Sequence, residues 1–106
     1  MYRIVFEHHP KEGQEEAFIK QWQIGSDIIQ TYPGAKGTKL FRDKNNPNII
    51  YAMAEWESKE AREKAVEMIK AEHEDSEQLL HGATQHVDSH ETIIEGDLIA
   101  ESNPPR

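Results

Sequence analysis

The stretch IIYAMAEWESKEAREKA, Ile49 to Ala65, decides the fold. It reads as a strand running through Trp56 into a capped helix. Ile50, Ala52, Ala54 and Trp56 alternate with Ile49, Tyr51, Met53 and Glu55. Successive strand residues point to opposite sides, so the mostly apolar character of both sets predicts a strand buried on two faces. Ser58 then occupies the position of a helix N-cap, where its hydroxyl can accept a free backbone N–H. Glu60 and Glu63 add negative charge near the positive end of the helix dipole.

Upstream, Tyr2 to His8 alternates Tyr2, Ile4 and Phe6 with Arg3, Val5 and Glu7, which predicts a first strand with one apolar face. Pro10 and Gly13 mark a turn. Glu15 and Glu16 then open a helix whose apolar stripe is Phe18, Trp22, Gly25 and Ile29. Gly25 suits either a close approach of this helix to the sheet or a kink. Tyr32-Pro33-Gly34 ends the helix, and Gly37 to Arg42 (GTKLFR) reads as a second strand. The turn-rich Asp43 to Asn48 joins it to the central strand as an antiparallel hairpin with a long loop.

Downstream of Ser58, the stripe Ala61, Ala65, Met68 and Ile69 marks the second helix, which Glu72 and His73 extend by a turn. Glu74 to Ser89 carries one apolar patch, Leu79-Leu80, and predicts a short helix broken at Gly82. Glu91 to Glu95 (ETIIE) reads as the last strand, with Gly96 as a bulge or turn. Residues 1–100 form one domain, and Glu101 to Arg106 is a polar tail expected to be mobile.

The resulting order βαββαβ predicts an α+β, ferredoxin-like fold, an antiparallel sheet with both helices on one side. The other side would then carry Val5, Leu40 or Phe41, and Tyr51 or Met53 as an apolar patch too large for a monomer. Sheet-on-sheet packing of two copies, a homodimer, is the expectation.

Composition narrows the function. A chain of 106 residues supports one modest core. With no cysteine, disulfides, thiolate metal sites and cysteine nucleophiles are excluded. Twenty acidic against twelve basic residues give a net charge of -8, which repels phosphate backbones and anionic membranes, so no nucleic-acid or membrane partner is expected. The opening MYRIVFEHHP has no basic region followed by a long apolar run, and no segment approaches the roughly 20 apolar residues of a membrane span. A soluble, cytoplasmic protein is expected.

Pro33-Gly34 before Gly37, Leu40-Phe41-Arg42, Tyr51 within strand three, and above all Trp56-Glu57-Ser58 leading into Glu60-Ala61 resemble the antibiotic biosynthesis monooxygenase-like domains, of the dimeric α+β barrel group. The resemblance spans roughly residues 1 to 95, and its specificity lies in the combination of these short motifs. It implies a homodimer in which each subunit keeps a cleft between sheet and helices. Some such proteins oxygenate quinols or polyphenols with no metal or flavin, because an electron-rich phenolate passes an electron directly to dioxygen. The protein then has to bind, orient and deprotonate. Haem-degrading relatives use an asparagine late in strand one and a tryptophan and histidine on the second long helix. Here Glu7 and His8 stand in strand one and Ala65 stands on the helix, which disfavours haem degradation. Ala65 also removes the histidine that many other members carry near this position.

Six histidines are present: His8, His9, His73, His81, His86 and His90. Histidine exchanges protons near neutral pH. His8, at the cleft edge implied by the resemblance, is the leading catalytic candidate, and His73 the second. His86 and His90 have the i, i+4 spacing of two ligands on one helical face, but the Val87-Asp88-Ser89 between them reads as a turn entering a strand, and no metal site is predicted. The acidic run Glu72, Glu74, Asp75, Glu77 lacks the spacing and glycine of a calcium loop and reads as a solvated helix face. Phe18, Trp22 and Ile29 read as core. Trp56 could wall an aromatic cleft or simply anchor the strand-helix corner. Tyr51 and Arg42 could orient or deprotonate a phenol, although arginine on a strand is usually one half of a surface ion pair. Two functions follow: a cofactor-independent monooxygenase acting on a small aromatic, quinol-like molecule, or a non-catalytic dimeric module binding a small ligand. Isomerase or haem-related chemistry is a distant third.

Overall fold

The computed structural model describes residues 1–105; Arg106, the last residue of the expected mobile tail, lies outside the described residues. The elements are β1 (Tyr2–Pro10), α1 (Glu15–Ile29), β2 (Ala35–Arg42), β3 (Ile50–Trp56), α2 (Lys59–Glu72), α3 (Ser76–His81), a 3-10 turn (Gly82–His86) and β4 (Val87–Asp97). One antiparallel sheet has the order β2-β3-β1-β4. This is the ferredoxin-like α+β fold expected from the order of elements. Among the described residues, no helix is long and apolar enough to cross a membrane.

Cross-strand partners share a face, so the register sorts the side chains. Tyr2, Ile4, Phe6 and His8 lie opposite Trp56, Ala54, Ala52 and Ile50, and this set faces the helices. Arg3, Val5 and Glu7 lie opposite Glu55, Met53 and Tyr51 on the other face, which no helix covers. The central strand is therefore buried on one side only, contrary to the two-sided reading: Ile50, Ala52 and Trp56 are buried, while Tyr51, Met53 and Glu55 are half-exposed. Of the two β2 candidates, Phe41, opposite Tyr51, is on the open face, and Leu40 points to the helices.

The helix-facing core divides in two. Tyr2, Ile4, Tyr32, Trp56, Ala65, Ile69 and Leu79 form one cluster; Phe18, Ile50 and Val87 form the other. Phe18 and Ile69 are wholly buried, each worth roughly 1.5–3 kcal/mol of transfer from water. The β3–α2 junction is built as its residues specify. Ser58 is extended, and its Oγ accepts the Ala61 N–H at 3.0 Å.

Five boundaries or contacts differ from the sequence reading. Gly25 makes its close approach to α3, not to the sheet: a Cβ there would stand 2.3 Å from the Leu79 carbonyl oxygen, and α1 runs on without interruption. Strand β2 begins at Ala35, and Gly37, at φ +110°, supplies the extra residue that shifts its register against β3. Helix α2 ends at Glu72, so His73 is its extended C-cap and does not prolong the helix. Strand β4 is eleven residues long, pairing along the whole of β1, and its register shifts at Asp88 and at Ile93, with Gly96 paired regularly opposite Arg3. Trp22, expected in the core, lies half-exposed beside β2.

Candidate functional site

Strand alternation brings His8 to the helix side near the end of β1, between the two core clusters. Its ring is 7% exposed and lies 5.0 Å from the Phe18 ring and 6.3 Å from Phe6. His90, its direct partner across the β1–β4 ladder, stacks on it at 5.8 Å and 24°. Because His90 is exposed, the pair runs from the core to the solvent. His8 Nδ1 has no hydrogen-bond partner among the described residues. Burial lowers its pKa to about 4, and the neighbouring charges of His90 and His9 lower it in the same direction. At neutral pH the imidazole is uncharged, with an unpartnered nitrogen facing a mostly apolar setting. On the same face the Arg62 guanidinium lies 5.9 Å above the Phe6 ring, a cation–π contact.

The other candidates do not gather around His8. Trp56 is 3% exposed and packs with Tyr2 and Tyr32 in the first cluster. It pairs with Tyr2, whereas Ile50 pairs with His8, and six strand residues separate the two positions by about 20 Å. Tyr51 points to the open face. Its hydroxyl donates to Asp43 Oδ1 at 2.8 Å, which raises the phenol pKa and lowers that of Asp43, whose other oxygen accepts the Asn45 and Asn46 N–H groups. Arg42, opposite Ile50, is on the helix side and forms an ion pair with Glu15 at the start of α1. Tyr51 and Arg42 thus lie on opposite faces and do not share one phenol. The Tyr51 phenol is also engaged with a carboxylate that disfavours its ionisation.

His73 belongs to a separate chain of contacts. The Tyr32 hydroxyl donates its single proton to Glu72 Oε2 at 2.6 Å, so at 3.1 Å it accepts from His73 Nε2. This bond to Glu72 raises the Tyr32 pKa. Glu72, read as part of a solvated acidic face, is thereby a hydrogen-bond acceptor for a core tyrosine. His86 Nδ1 meets Gln14 Oε1 at 3.0 Å and has no part in the His8–His90 stack. Among the described residues, no group of three histidine, aspartate or glutamate side chains is arranged to hold a metal ion.

A further polar cluster sits at the other end of β1. Buried Tyr2 donates to Glu95 of β4, and Lys59 approaches the same carboxylate at 3.5 Å. Burial, then the bond to Glu95, push the Tyr2 pKa up to about 12, and the bond holds Glu95 below the usual carboxylate range. Two open hollows also mark the surface. One, of about 490 Å³, wraps around the free edge of β2 against α1, between Ile19, Trp22, Lys39, Leu40 and Phe41. The other, of about 510 Å³, lies at the β1–α1 turn, between Lys11, Glu15, Asn48 and Asp88. His8 lines neither. Phe6 and Phe18 were missed as neighbours of the candidate base. The alternation of β1 places Phe6 on the same side as His8, but the pairing with His90 depends on a register that the polar sequence of β4 does not announce.

Comparisons with known proteins follow the fold. No curated protein sequence matches the chain. Among solved structures, a mutant of SnoaB, a cofactor-independent oxygenase from Streptomyces nogalater, is similar at TM-score 0.73 and 16% identity, covering 99% of this chain and 97% of that one. A dimeric ferredoxin-like protein from an uncultured marine organism is similar at TM-score 0.72 and 17% identity, covering 98% and 92%. Rv0793 from Mycobacterium tuberculosis is similar at TM-score 0.75 and 7% identity, covering 96% and 98%. These identities carry the fold alone. The family model described as antibiotic biosynthesis monooxygenase matches residues 1–78, well over half of the sequence, and so the chain belongs to the antibiotic biosynthesis monooxygenase family.

Proposed function

We propose that the protein is a cofactor-independent oxygenase of a small aromatic, quinol-like substrate, with His8 accepting the hydroxyl proton. The observation that carries this reading is the buried His8 Nδ1 left without a partner. A buried polar atom in that state costs about 1–3 kcal/mol, which a substrate hydroxyl donating to it would recover. His8 is neutral at pH 7 and thus able to accept. It is a weak base while the site is empty, and a phenolate formed beside it would give the imidazolium a counter-ion in the same dry setting, restoring its basicity. Half-buried Phe6 offers a ring to an aromatic substrate, and wholly buried Phe18 backs the His8 ring.

In the proposed reaction a quinol-like phenol with a free ortho or para C–H loses its O–H proton to His8. The phenolate passes one electron to dioxygen, the radical pair combines at that C–H carbon, and the imidazolium returns its proton to the peroxide. The resulting peroxide loses water and leaves a quinone. One oxygen atom enters the substrate and the other leaves in water.

The protein is further proposed to act as a homodimer packed through the open sheet face. Phe41 and Ile94 are exposed there around Val5 and Met53, and a structural neighbour of the same fold is dimeric. A second reading, a non-catalytic dimeric module, is favoured by one observation: the hollow beside β2 is remote from His8, and Tyr51, Arg42 and Trp56 do not converge on it.

Oxygen uptake by metal-stripped protein over a panel of quinols and dihydroxyarenes separates the two. Uptake above the spontaneous rate that His8→Ala abolishes and His73→Ala leaves intact supports the oxygenase and its base. Absence of uptake across the panel overturns the oxygenase in favour of the binding module.

A further inference from the structure

A substrate that reaches His8 needs a way in, because Nδ1 is buried and the residue as a whole is 7% exposed. Four side chains flank the ring. Ile50, opposite it on β3, is buried, and Phe18 of α1, at 5.0 Å, is wholly buried. Neither can leave without opening the core. Phe6, at 6.3 Å along β1, is half-buried and carries the Arg62 guanidinium over its ring. His90 of β4 is the exposed member of the four, stacked on His8 at 5.8 Å and 24°.

His90 is also lightly held. Among the described residues its side chain has that stack and no hydrogen-bond or ion-pair partner. Strand β4 is an edge strand, exposed at every residue after Val87. Its register against β1 shifts at Asp88 and at Ile93, so only Ser89 to Thr92 pair regularly around His90. An exposed imidazole on so short a paired segment can change rotamer while both core clusters stay closed. Two rings nearly parallel at this separation are offset and do not lie face to face. A flat ring in the place of the His90 imidazole therefore stacks on His8 in the same way, with a hydroxyl in its own plane directed toward Nδ1.

We propose that His90 is a movable cover on the His8 site: its imidazole swings outward, and a planar hydroxyarene takes its place against the His8 ring. This rests on the reading of His8 as the proton acceptor and adds the residue that decides what reaches it. The vacated slot selects flat ligands, because a branched group beside the hydroxyl would meet the buried Ile50 and Phe18, which cannot yield.

Carbethoxylation of His8 by diethylpyrocarbonate, read at each histidine by mass spectrometry, tests the cover without turnover. A His9→Gln background keeps the adjacent histidine out of the reading. In His90→Ala, His8 should react about two- to tenfold faster than in the parent, the weight of one aromatic pair. His90→Phe, which restores a ring, should return the rate toward the parent value, and Glu91→Ala, on the opposite face of β4, should leave it there. Both substituted sites are exposed, so folding is not at stake. β-Naphthol, added without dioxygen, should protect His8 in both proteins, at a concentration about two- to tenfold lower in His90→Ala. Equal His8 rates in parent and His90→Ala overturn the cover, and so does an equal gain in Glu91→Ala, which would mean that the whole strand opens. Naphthol that protects neither protein overturns the slot. Protection by naphthol with no oxygen uptake on any quinol supports the cover and removes the oxygenase alone.

Discussion

His8→Leu should flatten the acid limb of stability. His8 titrates near 4 in the folded protein and near 6.5 in the unfolded chain. Between those values the unfolded chain binds more protons, so stability rises with pH in this window. The full contribution is present above about pH 6.5, is lost progressively as the pH falls toward 4, and stays lost below that. The displacement of about two and a half units corresponds to about 3 kcal/mol. Leucine has a similar volume, carries no unsatisfied nitrogen and suits the neighbouring Phe18 ring, so at pH 8 the variant should lie within about 1.5 kcal/mol of the parent. Urea unfolding of both proteins at one chain concentration, from pH 4 to pH 8, reads the difference. The many carboxylates and the other histidines titrate in both proteins and cancel in the comparison. Curves for parent and variant that run parallel through the window would refute a buried, neutral His8.

The same property should appear in catalysis: with a quinol that is turned over, the acid limb of kcat/KM should fall near pH 4, whereas a limb near 6.5 would assign the proton to an exposed histidine instead. Gly25→Ala should destabilise by about 1–3 kcal/mol in thermal unfolding, because its Cβ meets the Leu79 carbonyl at 2.3 Å, and a neutral result would mean that α3 moves freely on α1. Ser58→Ala should cost about 1 kcal/mol in urea unfolding through the lost cap on Ala61, with Ser58→Asp restoring most of it. Tyr51→Phe should leave oxygenase activity unchanged while removing the hydrogen bond to Asp43; a large loss of activity would bring the open face into the site.

The sequence was most legible where the deciding interactions are local. The β3–α2 junction needs only the alternation ending at Trp56 and the Ser58 cap. The separation of Tyr51 from Trp56 was also available, since an odd spacing of five along a strand places two residues on opposite faces. Strand β4 was not legible to its full length. Its sequence, VDSHETIIEGD, lacks an alternating apolar set, and it forms because the edge of β1 offers a ladder from Tyr2 to Pro10. The His8–His90 stack depends on that ladder and on a bulge at Ile93, neither of which composition reveals. Trp22 was misplaced because its helical spacing matches Phe18, yet it lies in the open hollow beside the edge strand β2, between buried Phe18 and buried Gly25.

The division of the core has a consequence for where the folding unit ends. Recognisable family sequence stops at residue 78, but Leu79 completes one apolar cluster and Val87 the other, and β4 then lines the whole of β1. The quarter of the chain beyond that match is therefore the keystone that locks both halves. A gene fragment cut where the family match ends would strip the sheet of an edge strand and open two cores at once, so the end of the match is not a border at which the fold can be divided.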